Sequence, residues 1–265
     1  MQKVIDLIIS TQNKIVKKII SLQSKKNRDK DGLFVAEGIR FVSEIPLDWE
    51  VDLYAVTEGF ADQNDVKIFE KRASTFIFSQ EVFATLSDTE HPQGILAVCH
   101  RKKIEASAVI GKEKGFYLLA EELNDPGNMG TIIRTADACG ANGIFLSKGS
   151  VDLYNPKVLR STMGSLFHVP IFQNMDLMEI VSQMKRNNVL VLAAHLKGEK
   201  YPYVFDFKGS CAILIGNEAR GLSEETAALC NHFVKIPMVG QAESLNASIA
   251  AGVLMYEVVR QRIME

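Results

Sequence analysis

The sequence has one tryptophan, four cysteines and seven prolines in 265 residues, and these scarcities close off several classes of protein. Cys99, Cys139, Cys211 and Cys230 form no close pair, so they read as reduced thiols, not as a disulfide frame or a zinc site. The histidines, His91, His100, His168, His195 and His232, lack HExxH or any similar spacing, so no metal is expected. No apolar run is long enough to span a bilayer. Charged and polar residues break the N-terminus where a signal peptide needs an apolar core. Together these features predict a cytoplasmic protein. Neither GxGxxG nor GxxxxGK[ST] occurs, which argues against the dinucleotide and P-loop phosphate sites.

What is present is a substantial core and an uneven charge. Hydrophobic residues make up 47% of the chain, enough for one or two domains. The formal net charge of −2 points away from nucleic acid by itself. Yet residues 1–40 carry nine Lys and Arg against four Asp and Glu, and residues 41–100 carry three against eleven. A basic N-terminal segment is a candidate footprint for phosphate; a solvated helix face carries the same charges.

Residues 4–20, VIDLIISTQNKIVKKII, space their apolar side chains as one amphipathic helix, with Lys14, Lys17 and Lys18 on the wet face. GLFVAEG, VDLYAVTEG and GILAVCH predict strands. The charged stretch HRKKIEASAVIGKEKG predicts a linker, dividing the chain into a 1–105 domain and a 106–265 domain. After it, the apolar runs FYLLAEEL, GIFLS, VLVLAAHL and CAILIG alternate with helical stretches such as PKVLRSTMGSLF and LMEIVSQMKRNN. That alternation predicts an α/β fold, a parallel sheet with helices on both faces. Ligands in such sheets bind beyond the carboxyl ends of the strands.

Three loops there stand out. In NDPGNMGTIIRTADACG, residues 124–140, Pro126, Gly127 and Gly130 predict a loop, followed by a helix over 129–139. Arg134 then falls in the first turn and a half, where a cation opposes the helix macrodipole at a cost of about 0.3–1 kcal/mol. Pairing with Asp125 or Asp137 would explain it structurally; an anionic ligand would explain it functionally. In LIGNEARGLS, residues 214–223, a strand runs into Gly216-Asn217-Glu218 and Gly221, with Ser223 as N-cap of a helix opening Glu224-Glu225. In the third, an FVKIPM strand gives way to a loop, and Ser244-Leu245-Asn246 opens a long helix with Ser244 or Asn246 as its cap. The small residues Ala247, Ala250, Ala251 and Gly252 give that helix a close-packing face.

Taken together, the loops resemble the three motifs of the SpoU (TrmH-like) family of RNA 2′-O-ribose methyltransferases, in the SPOUT superfamily. Asn124, Asn128, Gly130 and Arg134 match the first motif. Ile215-Gly216-Asn217-Glu218 and Gly221 match the second, and Ile236-Pro237-Met238 with Ser244-Leu245-Asn246 match the third. GLFVAEGIRFVSE and DTEHPQGILAV are similar to the family's L30e-like substrate-binding module, and RSTMGSLFHVP to a segment of rRNA-modifying members.

The resemblance implies a deep trefoil knot, a homodimer through the catalytic domain, and S-adenosylmethionine as methyl donor, with no metal. Leu214, Gly216, Asn217, Ile236, Met238 and Leu245 would bind the cofactor. Arg134 would stabilise the developing alkoxide and grip a neighbouring phosphate, since a guanidinium gives up its proton too reluctantly to be a good base. Asn246 would orient the 2′-hydroxyl, Ser244 and Glu218 would hold the loops, and Asn124 and Asn128 would shape the pocket. The implied substrate is structured RNA, 23S rRNA before tRNA. A base-methylating SPOUT enzyme and an inactive RNA-binding protein are the rival readings.

Overall fold

The computed structural model describes residues 7–264 apart from Glu199. The chain forms two compact units. One runs through Lys103 and takes in Tyr154–Phe167; the other holds Ile104–Leu153 and the residues from His168 onward.

In chain order the first unit comprises α1 (Lys14–Ser21), α2 (Lys25–Asp31), β1 (Leu33–Glu37), α3 (Ile39–Ser43), β2 (Val51–Thr57), α4 (Glu58–Gln63), α5 (Lys67–Glu70), β3 (Ser74–Phe78), α6 (Gln80–Leu86) and β4 (Ile95–His100). Its sheet has the order β1-β4-β2-β3, with β4 antiparallel to both neighbours and β3 parallel to β2. The core gathers Val16 and Ile19 of α1, Phe78, Val82 and Phe83, and Leu96 and Val98 of β4.

The single helix expected over residues 4–20 is corrected here. Asn13 caps α1 by accepting from the Ile15 N–H. Upstream of it Ile8 pairs with Phe78 as a short parallel bridge. The polar run Ser10-Thr11-Gln12-Asn13 interrupts the apolar spacing, and a side-chain cap outcompetes continuation of the helix. Val4 and Ile5 lie outside the described residues. Strand β3 leaves little trace in the sequence because STFIF is short and only partly buried.

The second unit follows as β5 (Phe116–Ala120), α7 (Pro126–Ala138), β6 (Gly143–Ser147), α8 (Pro156–Thr162, which packs within the first unit), β7 (Ile171–Met175), α9 (Leu177–Arg186), β8 (Leu190–Ala194), β9 (Cys211–Ile215), α10 (Glu224–Leu229), β10 (His232–Val234) and α11 (Ala247–Ile263). The six strands take the order β10-β8-β9-β5-β6-β7 and every pair is parallel. Every residue of β5 and β9 is buried, which is why their sequences read as unbroken apolar runs. From β5 the chain moves to β6 on one side, while β9 lies on the other. The crevice at the carboxyl ends of β5 and β9 is therefore the switch point of the sheet, where such folds hold ligands.

Candidate active site

Residues from all three loops converge at that crevice. The central joint is Asn128. Its Nδ2 donates to Glu218 Oε1 at 3.1 Å, and its Oδ1 accepts from Asn246 Nδ2 at 2.9 Å. The Glu218 carboxylate also accepts from the backbone N–H of Asn124 at 3.2 Å and of Asp125 at 3.1 Å. Asn246 caps α11, its Oδ1 accepting from the N–H of Ser248 and of Ile249 and from Ser248 Oγ. One side-chain chain, Glu218–Asn128–Asn246, thus ties the loops after β9, β5 and β10 together.

Burial alone would push the Glu218 carboxyl up. The hydrogen bonds from Asn128 and from the backbone N–H groups, those of Asp125 and Asn124 among them, outweigh it and hold the group below the ordinary carboxylate range. Glu218 is an ionised anchor at neutral pH, not a proton carrier.

The loop after β9 closes on itself through Asn217 and Gly221, which exchange backbone hydrogen bonds of 3.0 and 2.9 Å. Asn217 Nδ2 donates to the Glu122 carbonyl at 2.7 Å, and the Arg220 guanidinium pairs with the Glu122 carboxylate. A Cβ on Gly216 would lie 2.3 Å from the Gly221 carbonyl carbon, so only glycine fits.

The helix carrying Arg134 differs from the sequence expectation. It spans Pro126–Ala138, not 129–139, with Asp125 as N-cap accepting from the Asn128 N–H and Pro126 in the first turn. Proline is favoured there because its missing N–H has no intrahelical partner to lose. Arg134 consequently lies in the third turn, and the macrodipole argument for it fails. It pairs with neither aspartate: Asp125 is the cap, and Asp137 meets His168 Nδ1 at 3.0 Å. Arg134 is exposed, and no hydrogen bond or ion pair holds its guanidinium among the described residues.

The third loop is corrected in part. Strand β10 ends at Val234, so Ile236-Pro237-Met238 is loop, and the helix cap is Asn246, not Ser244. Pro237 cannot donate to a ladder, which favours the early strand end. Ser244 is exposed and joins none of the hydrogen bonds among the described residues. Along 236–245, no backbone N–H donates to another protein group among the described residues. Ile236 and Met238 are half-buried, Leu214 is buried and Leu245 is partly exposed. Unpaired backbone donors among partly buried apolar side chains are features of small-molecule sites.

The small-residue face of α11 is used inside the chain. Ala251 is fully buried, and Gly252 faces Thr135 of α7. The exposed large apolar side chains of α11 are Ile249, Val253, Tyr256 and Ile263. Burial pushes the thiols of Cys99 and Cys230 up to about 12, so neither is a ready nucleophile. Among the described residues no cluster of His, Cys, Asp or Glu could hold a metal ion, and no helix is long and apolar enough to cross a membrane.

Comparison with known proteins points to one family. Residues 115–256 match the SpoU rRNA Methylase family and residues 13–97 an MRM3-like substrate binding domain. The 23S rRNA (guanosine(2553)-2′-O)-methyltransferase RlmP of Bacillus subtilis is 34% identical over 94% of this chain and 97% of its own. The 23S rRNA (uridine(2479)-2′-O)-methyltransferase of Streptomyces viridochromogenes is 31% identical over 91% and 88%. The AdoMet-bound rRNA methyltransferase from Sinorhizobium meliloti superposes with a TM-score of 0.85 at 32% identity, over 96% of this chain and 97% of that one. With one family's model matching over half of its length, the chain belongs to the SpoU rRNA methylase family.

Proposed function

We propose that this protein transfers the methyl group of S-adenosylmethionine to a ribose 2′-hydroxyl of 23S rRNA. The observation that carries the reading is the joining of three strand-end loops through Asn128, at the switch point of a parallel sheet. The kinship with 23S rRNA 2′-O-methyltransferases supports the substrate.

The cofactor supplies a sulfonium-activated methyl group, so the chain's own work is binding and alignment. Leu214, Gly216, Asn217, Ile236, Met238 and Leu245 hold it, mainly through backbone groups. Asn246 spends its oxygen on the cap of α11 and one Nδ2 hydrogen on Asn128, which leaves one donor for the ribose hydroxyl. Arg134, a permanent cation without a partner among the described residues, grips the adjacent phosphate and stabilises negative charge developing on the 2′-oxygen. Asn124 and Glu218 keep the pocket's shape.

The first unit supplies the RNA grip. Lys14, Lys17, Lys25, Lys26 and Lys30 are exposed on α1 and α2, a cluster suited to phosphates. A second copy of the chain covers Ile249, Val253 and Tyr256 of α11, making a homodimer. Arg134 stands ~240° around α7 from Asn128, off the line that faces α11. The cytoplasm is the compartment, and a trefoil knot formed by the segments after β9 is part of the proposal.

Methyl transfer from labelled S-adenosylmethionine to bulk 23S rRNA and to bulk tRNA tests the reading. Transfer to 23S rRNA is expected, and it should vanish when the mapped nucleotide is 2′-deoxy. Methylation of the deoxy substrate would mean base chemistry, and exclusive transfer to tRNA would replace the substrate.

A further inference from the structure

Glu121, the first residue beyond β5, lies outside the three motifs, yet its carboxylate is fully engaged. Oε2 accepts from the Ser223 N–H at 2.8 Å. Oε1 accepts from Ser223 Oγ and from Thr226 Oγ1, both at 2.7 Å. Its own N–H donates to the Ile215 carbonyl at 2.9 Å, carrying the pairing of β5 with β9 one step past the strands. Ser223 is the N-cap of α10, and Thr226 is 4% exposed. Glu121 therefore grips the first turn of α10 from the neighbouring strand.

This contact is the counterpart of Glu218. The loop after β9 sends Glu218 to the N–H groups that open α7, and the chain after β5 sends Glu121 to the groups that open α10. The loop is thus held at two points, at Glu218 and at Ser223, with residues 219–222 between them. No cation pairs with Glu121 among the described residues; all its partners are N–H and O–H donors of a single helix start. Hydrogen bonds to an ionised acceptor are roughly twice as strong as neutral ones, and three of them set one geometry.

We infer that Glu121 is a positioning residue for the methyl donor, fixing the far end of the 216–223 loop so that the backbone at Gly216 meets the cofactor in register. The inference rests on the reading above, in which Gly216 and Asn217 hold S-adenosylmethionine.

Glu121→Gln is nearly isosteric but turns an NH2 toward Ser223 or Thr226, and Thr226→Val removes one partner. Cofactor affinity is read by calorimetry, and steady-state rates with cofactor and RNA varied separately. In Glu121→Gln, Kd and KM for S-adenosylmethionine should rise about tenfold, while KM for RNA and kcat at saturating cofactor stay within about threefold. Thr226→Val should raise the cofactor KM less, and adding it to Glu121→Gln should have little further effect, as expected within one network. A purely structural carboxylate would lower Tm and the active fraction but leave the folded fraction's cofactor Kd unchanged. That result in Glu121→Gln overturns the inference. If Glu121→Gln does not fold, an unchanged cofactor KM in Thr226→Val overturns it instead. Failure of the underlying reading has a separate signature: the unsubstituted protein itself would not bind S-adenosylmethionine.

Discussion

Asn128 and Asn246, 118 positions apart in sequence, share a hydrogen bond of 2.9 Å between the first turn of α7 and the cap of α11. Seven residues along α7 and six along α11, Thr135 and Gly252 face each other. The two helices run side by side from a common head, and the head is where the motifs meet.

Arg134 takes no part in that joint, which makes its substitution informative. Arg134→Ala should lower methyl transfer by about a hundredfold or more, in line with removal of a charge that acts in the transition state. Cofactor affinity should stay within a few-fold and Tm should be unchanged, because the side chain is exposed and unpartnered among the described residues. Calorimetry with S-adenosylmethionine and a turnover assay decide it; abolished cofactor binding in a folded variant would remove the assigned role.

Glu218 gives a pH prediction. Its carboxyl titrates below its ordinary value in the folded chain. A depressed carboxylate contributes stability that is fully present above the unfolded pKa, about 4.3, and is lost as pH falls through the folded value. Denaturant unfolding of the unsubstituted protein and of Glu218→Gln should therefore differ most at neutral pH and converge in acid. The pH–rate profile should show no limb from Glu218 near neutrality. A stability gap that widens on acidification would contradict this.

Gly216→Ala tests the tight closure of the second loop. The added Cβ meets backbone at 2.3 Å, not the end of a flexible side chain, so the loop itself must shift, costing about 1–3 kcal/mol. Cofactor binding should fall by tenfold or more, about 1.4 kcal/mol per factor of ten. Calorimetry and chemical denaturation read the two effects separately.

For the first unit, replacing Lys14, Lys17, Lys25 and Lys26 by Glu should weaken RNA binding and flatten its dependence on salt. The log–log slope should fall by about 0.7–0.9 for each phosphate that the protein no longer neutralises. Cofactor affinity should not change. An unaltered salt slope means the RNA is gripped elsewhere. Charge substitution is a better probe than deleting the first 105 residues. Tyr154 lies tilted against Phe34 with ring centroids 4.8 Å apart, and Phe167 meets Phe41 and Trp49, so deletion would strip the 154–167 segment of its packing partners.

The parallel sheet is legible in the sequence because β5 and β9 are buried along their whole length and leave apolar runs. The edge strand β7 is not, because IFQNM is partly polar, and β10 is legible only in part: FVKIPM reads as a strand, but the pairing covers just His232–Val234. Asn128, Glu218 and Asn246 are legible only through their likeness to family motifs; no local pattern says that residues so far apart will meet. Asp125 carries a usable signal, since Asp-Pro is a helix-start signature, and weighing it moves Arg134 out of the first turn. Glu121 leaves no signal, because its partners become apparent only when β5 and β9 lie side by side.

The shared head of α7 and α11 also has a thermodynamic consequence. On the proposed reading, Asn246 ends the loop that would meet the methyl donor, and Asn128 sits in the first turn of the helix that would present Arg134 to RNA. A shift of one on filling its side of the crevice would bear on the other through that hydrogen bond and the packing of α7 on α11. The two ligands are then linked: whatever factor the methyl donor applies to RNA affinity, RNA must return to the methyl donor. Spent cofactor, which lacks the methyl group and the positive charge, would apply a different factor.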